Sequence, residues 1–285
     1  MTKTNTRSRI VSILLVLMML LTMVPITAVT ASAAEWTTVN SYEELQTAVK
    51  AKKEYIKLGR DIDTKDFHYS GGGLDIADWL TFEGQTCTLD LNGNTLTLMS
   101  KMSNMPTFMR VYDGSALTIK DSSSTKTGEI TCDFGSNFSG RNSVQMIHVV
   151  ASSLTLEGGT FRATSHPYAD SCNAIYSLNG NLTIKEGVKL VQPEFHDLGY
   201  ASDLDGSGYA LYVKNESGKN GTVTIDGGEF DGHVRLSGYQ SDNGSIQISG
   251  GTFKKDVQVL YEAEENNSDP AVTVNGGIFE GDVYL

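Results

Sequence analysis

The chain has 285 residues, of which 22 are Lys or Arg and 34 are Asp or Glu, giving a net charge of −12 at pH 7. An acidic surface repels the phosphates of nucleic acid and of anionic membranes, so neither is expected as a partner. It favours solubility and offers carboxylates to calcium. Cys87, Cys132 and Cys172 show no C-x-x-C spacing, so no zinc site is indicated and at most one disulfide can close. They are expected as small apolar core residues.

Residues 1–34 read as a secretory signal peptide. Lys3, Arg7 and Arg9 precede the apolar run Ile10–Val24, and Ala31-Ser32-Ala33 supplies small residues for a signal peptidase. The apolar part is short for a membrane span, although an uncleaved anchor is the rival reading. Cleavage removes three cations and no acid, which takes the net charge from −12 to −15. A secreted, extracellular or cell-surface protein is expected, without membrane contact after cleavage, its domain spanning residues 35–285.

The first element after the signal is a capping box, Ser41-Tyr42-Glu43-Glu44, with Ser41 as N-cap and Glu44 at N3. Leu45, Ala48 and Val49 form a short apolar stripe, so a helix over 41–51 is expected to cover the start of the domain. YIKLGRDI and WLTFEGQTCTLDLNGNTLTL follow as strands of a drifted pattern.

From Leu117 onward the pattern becomes a repeat. LTIKDSS starts at Leu117, LTLEGGTF at Leu154, LTIKEGVKL at Leu182, VTIDGGEF at Val223, IQISGGTF at Ile246 and VTVNGGIF at Val272. Apolar and polar residues alternate, so each copy is a half-buried strand. The Gly-Gly pair permits a bend, after which Phe161, Phe230, Phe253 and Phe279 return to the core. A single strand cannot bury its apolar side, but strands stacked about 4.8 Å apart bury one another. Starts at 223, 246 and 272 fit one coil of a solenoid, not a propeller blade or an ankyrin unit.

A second register runs through Met109-Arg110-Val111-Tyr112, Met146-Ile147-His148-Val149, Ala174-Ile175-Tyr176-Ser177 and Ala210-Leu211-Tyr212-Val213. A third apolar segment follows the later Gly-Gly pairs: His233-Val-Arg-Leu, Asp256-Val-Gln-Val and Asp282-Val-Tyr-Leu. The expected fold is all-β, a right-handed parallel β-helix (solenoid) with a short N-terminal capping helix. The chain stops within a repeat unit, at Gly281–Leu285, so either a longer native product or a truncated reading frame is expected.

VNSYEELQTAVKAKKEYIKLGRDID, LDLNGNTLTL, ALTIKDSSSTKTGEI and the G-G-x-F repeats resemble pectin-lyase-like surface proteins of Gram-positive bacteria. The resemblance covers Thr37 to Leu285. It implies the β-helix fold and leaves activity open, because that group holds polysaccharide enzymes as well as adhesins.

The residues favour a binding or scaffold role over catalysis. No Asp-Asp pair occurs, and past the signal only Arg60, Arg110, Arg141, Arg162 and Arg235 remain as arginines. The best catalytic grouping is Asp226, Asp231, His233 and Arg235, yet His233 aligns with Asp256 and Asp282 as a variable repeat position. Asp203 and Asp205 suggest a calcium loop, for which an Asp/Gly turn is the simpler account. Long insertions at 133–143, 162–173 and 192–208 carry aromatics, including Tyr168, Phe195, His196 and Tyr200. If Ile147, Ile175 and Leu211 face inward, His148, Tyr176 and Tyr212 form an outward ladder that could meet sugar rings. The alternative is that these rings only stabilise the sheet. A non-catalytic surface scaffold, adhesin or glycan-binding module is therefore expected, with a polysaccharide or cell-surface glycan as partner. A polysaccharide lyase or glycoside hydrolase is the alternative.

Overall fold

Alternation of apolar and polar residues produces short strands, and stacking like strands from successive coils produces the molecule. The computed structural model describes residues 34–64, 80–99, 107–133, 143–163, 171–192, 208–216, 219, 221–239, 245–262 and 272–284. Within them the chain runs repeatedly through three sheets, here called A, B and C, before rising one coil. Every strand pair is parallel. Sheet A has nine strands, and sheets B and C have eight each. This is the right-handed parallel β-helix expected from the repeat.

Sheet A holds the L-T strands in register. Leu117, Leu154, Leu182, Val223, Ile246 and Val272 pair in sequence, as do the threonines that follow most of them. The inward residues Leu154, Leu156, Ile184, Val223 and Ile225 are fully buried. Each such side chain contributes roughly 1.5–3 kcal/mol relative to an exposed one.

The third face differs from the expectation. Val234–Tyr239, Val257–Glu262 and Val283–Tyr284 do not make a separate face, because Leu211 pairs with Val234, Val234 with Val257 and Val257 with Val283. They continue sheet C, the second register. Sheet B holds instead the short strands after the glycine pairs, such as Gly159–Arg162, Glu229–Asp231 and Thr252–Phe253, together with Ile62–Asp63, Thr95–Met99, Glu129–Asp133 and Val188–Val191. The glycines explain the corner between sheets A and B. A Cβ on Gly250 would lie 2.5 Å from the Asp226 carbonyl oxygen of the preceding coil, and Gly251 has φ +103°. The chain therefore turns before the phenylalanine, as expected from the Gly-Gly pair. Phe230, Phe253 and Phe279 stack in the interior with centroids 4.5 and 4.8 Å apart and nearly parallel rings.

Helix α1 (Tyr42–Lys50) buries Tyr42, Leu45, Ala48 and Val49 and packs on the first strands of sheets A and C. Ser41 Oγ accepts the Glu44 N–H at 3.2 Å, as the capping box requires. The Glu44 carboxylate reaches one residue further than expected and accepts the Asn40 N–H at 2.7 Å.

Opposite charges also fix the register of the coils. Lys57, the buried Asp90 and Lys120 pair in one row at the end of sheet A, and Glu157, Lys185 and Asp226 follow at the same strand ends on later coils. Lys57 Nζ lies 3.5 Å from Asp90, and Lys185 Nζ 2.7 Å from Glu157. Slipping any strand by one coil would set like charges together. Cys87 and Cys132 are buried free thiols, and burial pushes the Cys87 thiol up to about 12. The Cys172 side chain lies outside the described residues.

Candidate functional site

The outward ladder forms with the orientation that the register requires. Ile147, Ile175 and Leu211 are fully buried, while His148, Tyr176 and Tyr212 are half-buried on the outer face of sheet C. Strand pairing sets His148 opposite Tyr176 and Tyr176 opposite Tyr212. In-register parallel strands hold these rings one rung apart. Their centroids are 4.9 and 5.0 Å apart, tilted by 30° and 49°. At that spacing the ring faces are turned towards neighbouring rings. A ligand lying along the axis would meet ring edges and hydroxyls more than open faces.

The row extends beyond the three aromatics. Arg110 pairs with His148, and Arg235 with Tyr212, so a guanidinium stands at each end of the stack. Arg110 lies 5.5 Å from the centroid of the Tyr112 ring, and Arg235 lies 5.3 Å from that of Tyr212. Both distances suit cation–π attraction. Arg235 Nη1 donates to the Tyr209 hydroxyl at 3.2 Å, and Tyr209 also packs on Tyr212 at 5.3 Å. Arg110, Tyr112 and Tyr209 join the row only in the structure. The signal was present: Arg110 holds the same position in its strand as His148, Tyr176 and Tyr212.

Burial and neighbouring charge set the proton states. Burial, aided by the Arg110 charge, lowers the His148 imidazole to about 4. It is therefore neutral at pH 7, with Nδ1 3.0 Å from the Tyr112 hydroxyl and Nε2 without a hydrogen-bond partner among the described residues. Burial, with Tyr212 and Glu216 nearby, raises the Tyr176 phenol to about 12. Its hydroxyl can thus donate to a ligand oxygen throughout the physiological range.

The insertions all fall on one side of this row. The connections 134–142, 164–170 and 193–207 each run from sheet B to sheet C, as do 65–79 and 100–106. These five connections thus leave and re-enter the described residues at the corner where the strands of sheet C begin, whereas 263–271 joins sheet C to sheet A. Tyr168, Phe195, His196, Tyr200, Asp203 and Asp205 lie in them, outside the described residues.

The four catalytic candidates do not converge. Asp226 sits at the corner between sheets A and B, beside an open groove of about 610 Å³ lined by Gly227, Gly228, Gly250 and Gly251. Asp231 belongs to sheet B, 4.0 Å from Lys189 and 3.9 Å from Lys254, the two lysines that hold Glu229. His233 stands at the corner between sheets B and C, with Nδ1 3.9 Å from Asp256. Burial lowers its pKa against the raising influence of Asp256. Only Arg235 belongs to the aromatic row. Sequence proximity gathered residues that the solenoid sends to different faces.

Among the described residues no three His, Cys, Asp or Glu side chains gather as a metal site. No described helix is long and apolar enough to cross a membrane. Comparison with family models, curated proteins and solved structures finds no match to this chain.

Proposed function

We propose that this chain is an exported, non-catalytic β-helix, a surface scaffold or adhesin that binds an extended polysaccharide or cell-surface glycan along the outer face of sheet C. The supporting observation is the row Arg110–His148–Tyr176–Tyr212–Arg235. It is outward-facing and continuous over successive coils, and it combines ring edges, phenol donors and guanidiniums. Four rung intervals span roughly 19 Å, the length of several sugar residues. Hydroxyl-rich ligands suit such a strip, because phenol hydroxyls and guanidiniums hydrogen-bond sugar oxygens while the ring edges give apolar contact. Separation of Asp226 and Asp231 from His233 and Arg235 favours binding over turnover, since acid–base chemistry needs its groups within reach of one bond.

A glycan array probed with the purified chain, with and without a calcium chelator, tests the reading. Retention on one glycan class without product release is the expected result. Release of shortened or unsaturated sugars from any polysaccharide would contradict it and support a lyase or hydrolase.

A further inference from the structure

The aromatic row has a second chemical property, independent of any ligand. Tyr176 and Tyr212 sit opposite each other on neighbouring coils, with ring centroids 5.0 Å apart. Their backbones are pinned, since the flanking Ile175, Leu211 and Val213 are fully buried in the core. Two phenols are therefore held in van der Waals contact across a sequence separation that a flexible chain would rarely close. We infer that Tyr176 and Tyr212 form an oxidative cross-link site, at which a peroxide-driven one-electron oxidant joins the two rings through a carbon–carbon bond.

The chemistry balances with hydrogen peroxide as the oxidant. Each phenol gives up one electron and its hydroxyl proton, and the peroxide takes both pairs and leaves as two waters. The two phenoxyl radicals combine at the ring carbons ortho to the oxygen-bearing carbon, and the hydrogens on those carbons return to the phenol oxygens. The product is a biphenol that ties one coil to the next. Proximity makes this coupling effectively unimolecular, so it outruns encounters between molecules at low concentration.

Neighbouring rings define the competition. Tyr209 lies 5.3 Å from Tyr212, but it is 3% exposed and its hydroxyl accepts from Arg235. On the other side, His148 separates Tyr176 from Tyr112. The pair bridging two coils is thus the half-exposed one, and it is the pair an external oxidant reaches.

The test treats the dilute, purified chain with hydrogen peroxide and a haem peroxidase, then maps linked peptides by mass spectrometry and follows dityrosine fluorescence. The expected product is a monomer, lighter by two hydrogens, with the Tyr176 peptide joined to the Tyr212 peptide. Tyr176→Phe and Tyr212→Phe each keep the ring, and each should lower the intramolecular yield by about tenfold or more, whereas Tyr209→Phe should not. A link between Tyr209 and Tyr212, cross-linking only between molecules, or no link while free tyrosine couples in the same mixture would each overturn the inference. Because no glycan takes part, failure here leaves the binding proposal standing, and failure of glycan binding leaves this one standing.

Discussion

Replacing Phe253 by alanine probes whether the interior phenylalanine stack holds the C-terminal coils together. Phe253 is fully buried between Phe230 and Phe279, with centroids at 4.5 and 4.8 Å and interplanar angles of 10° and 4°. Truncating a buried Phe costs about 3–5 kcal/mol, and losing two ring contacts puts this site near the upper end, about 5 kcal/mol. Phe279 is half-buried and stacks on one ring, so Phe279→Ala should cost about 2 kcal/mol. A solenoid unfolds locally, because each coil touches only its neighbours, so hydrogen exchange reports better than one global midpoint. In Phe253→Ala, amide protection in Ile246–Ile248 and Glu229–Asp231 should fall by about a thousandfold or more, while Ser153–Leu156 keeps its protection. Equal losses for the two variants, or a uniform loss over all coils, would refute the reasoning.

Three further outcomes follow from buried polar groups. The Asp121 carboxylate accepts the N–H groups of Gly93, Ser123 and Gly128 at 2.8, 3.0 and 2.7 Å, so Asp121→Ala should cost about 3 kcal/mol in urea denaturation. Burial alone would raise its pKa, but these hydrogen bonds hold it below the usual value. Its contribution is therefore present above the unfolded-state pKa and is lost as pH falls through the lower folded value. For His148, NMR should show titration near 4, moving up in Arg110→Gln. Because the unfolded imidazole binds its proton more tightly, this group contributes fully above its unfolded pKa and less as pH falls towards 4. A thiol reagent at mildly alkaline pH should leave Cys87 unmodified until the chain is unfolded, and fast labelling of the native chain would contradict its burial.

Residues with a local signature were legible in the sequence. Alternation exposed the strands of sheet A, and length excess located the insertions that topology sends to one corner. The capping box announced helix α1. Sheet B was missed because Glu229–Asp231 and Thr252–Phe253 each turn a single side chain inward, too few for a period of two to register. Cross-coil relations were hidden for a different reason. Lys185 and Glu157 meet across 28 residues, and Arg110 reaches the ladder only through strand pairing. Asn173 reads as a polar surface residue, yet it is 3% exposed and accepts the Tyr209 N–H from the next coil at 2.9 Å. The catalytic grouping failed because neighbours in sequence, Asp226 to Arg235, turn two corners between them.

Binding of the chain and of a Tyr176→Ala/Tyr212→Ala double variant to immobilised polysaccharides, with soluble products followed in parallel, tests the central claim most directly. Two half-buried rings at the middle of a binding strip are each worth about 1–2 kcal/mol, so the double variant should bind its glycan at least about thirtyfold more weakly, with no product released by either protein. Unchanged affinity in a variant that keeps its native circular dichroism would mean that the ladder only stabilises sheet C, and product release would make the chain an enzyme.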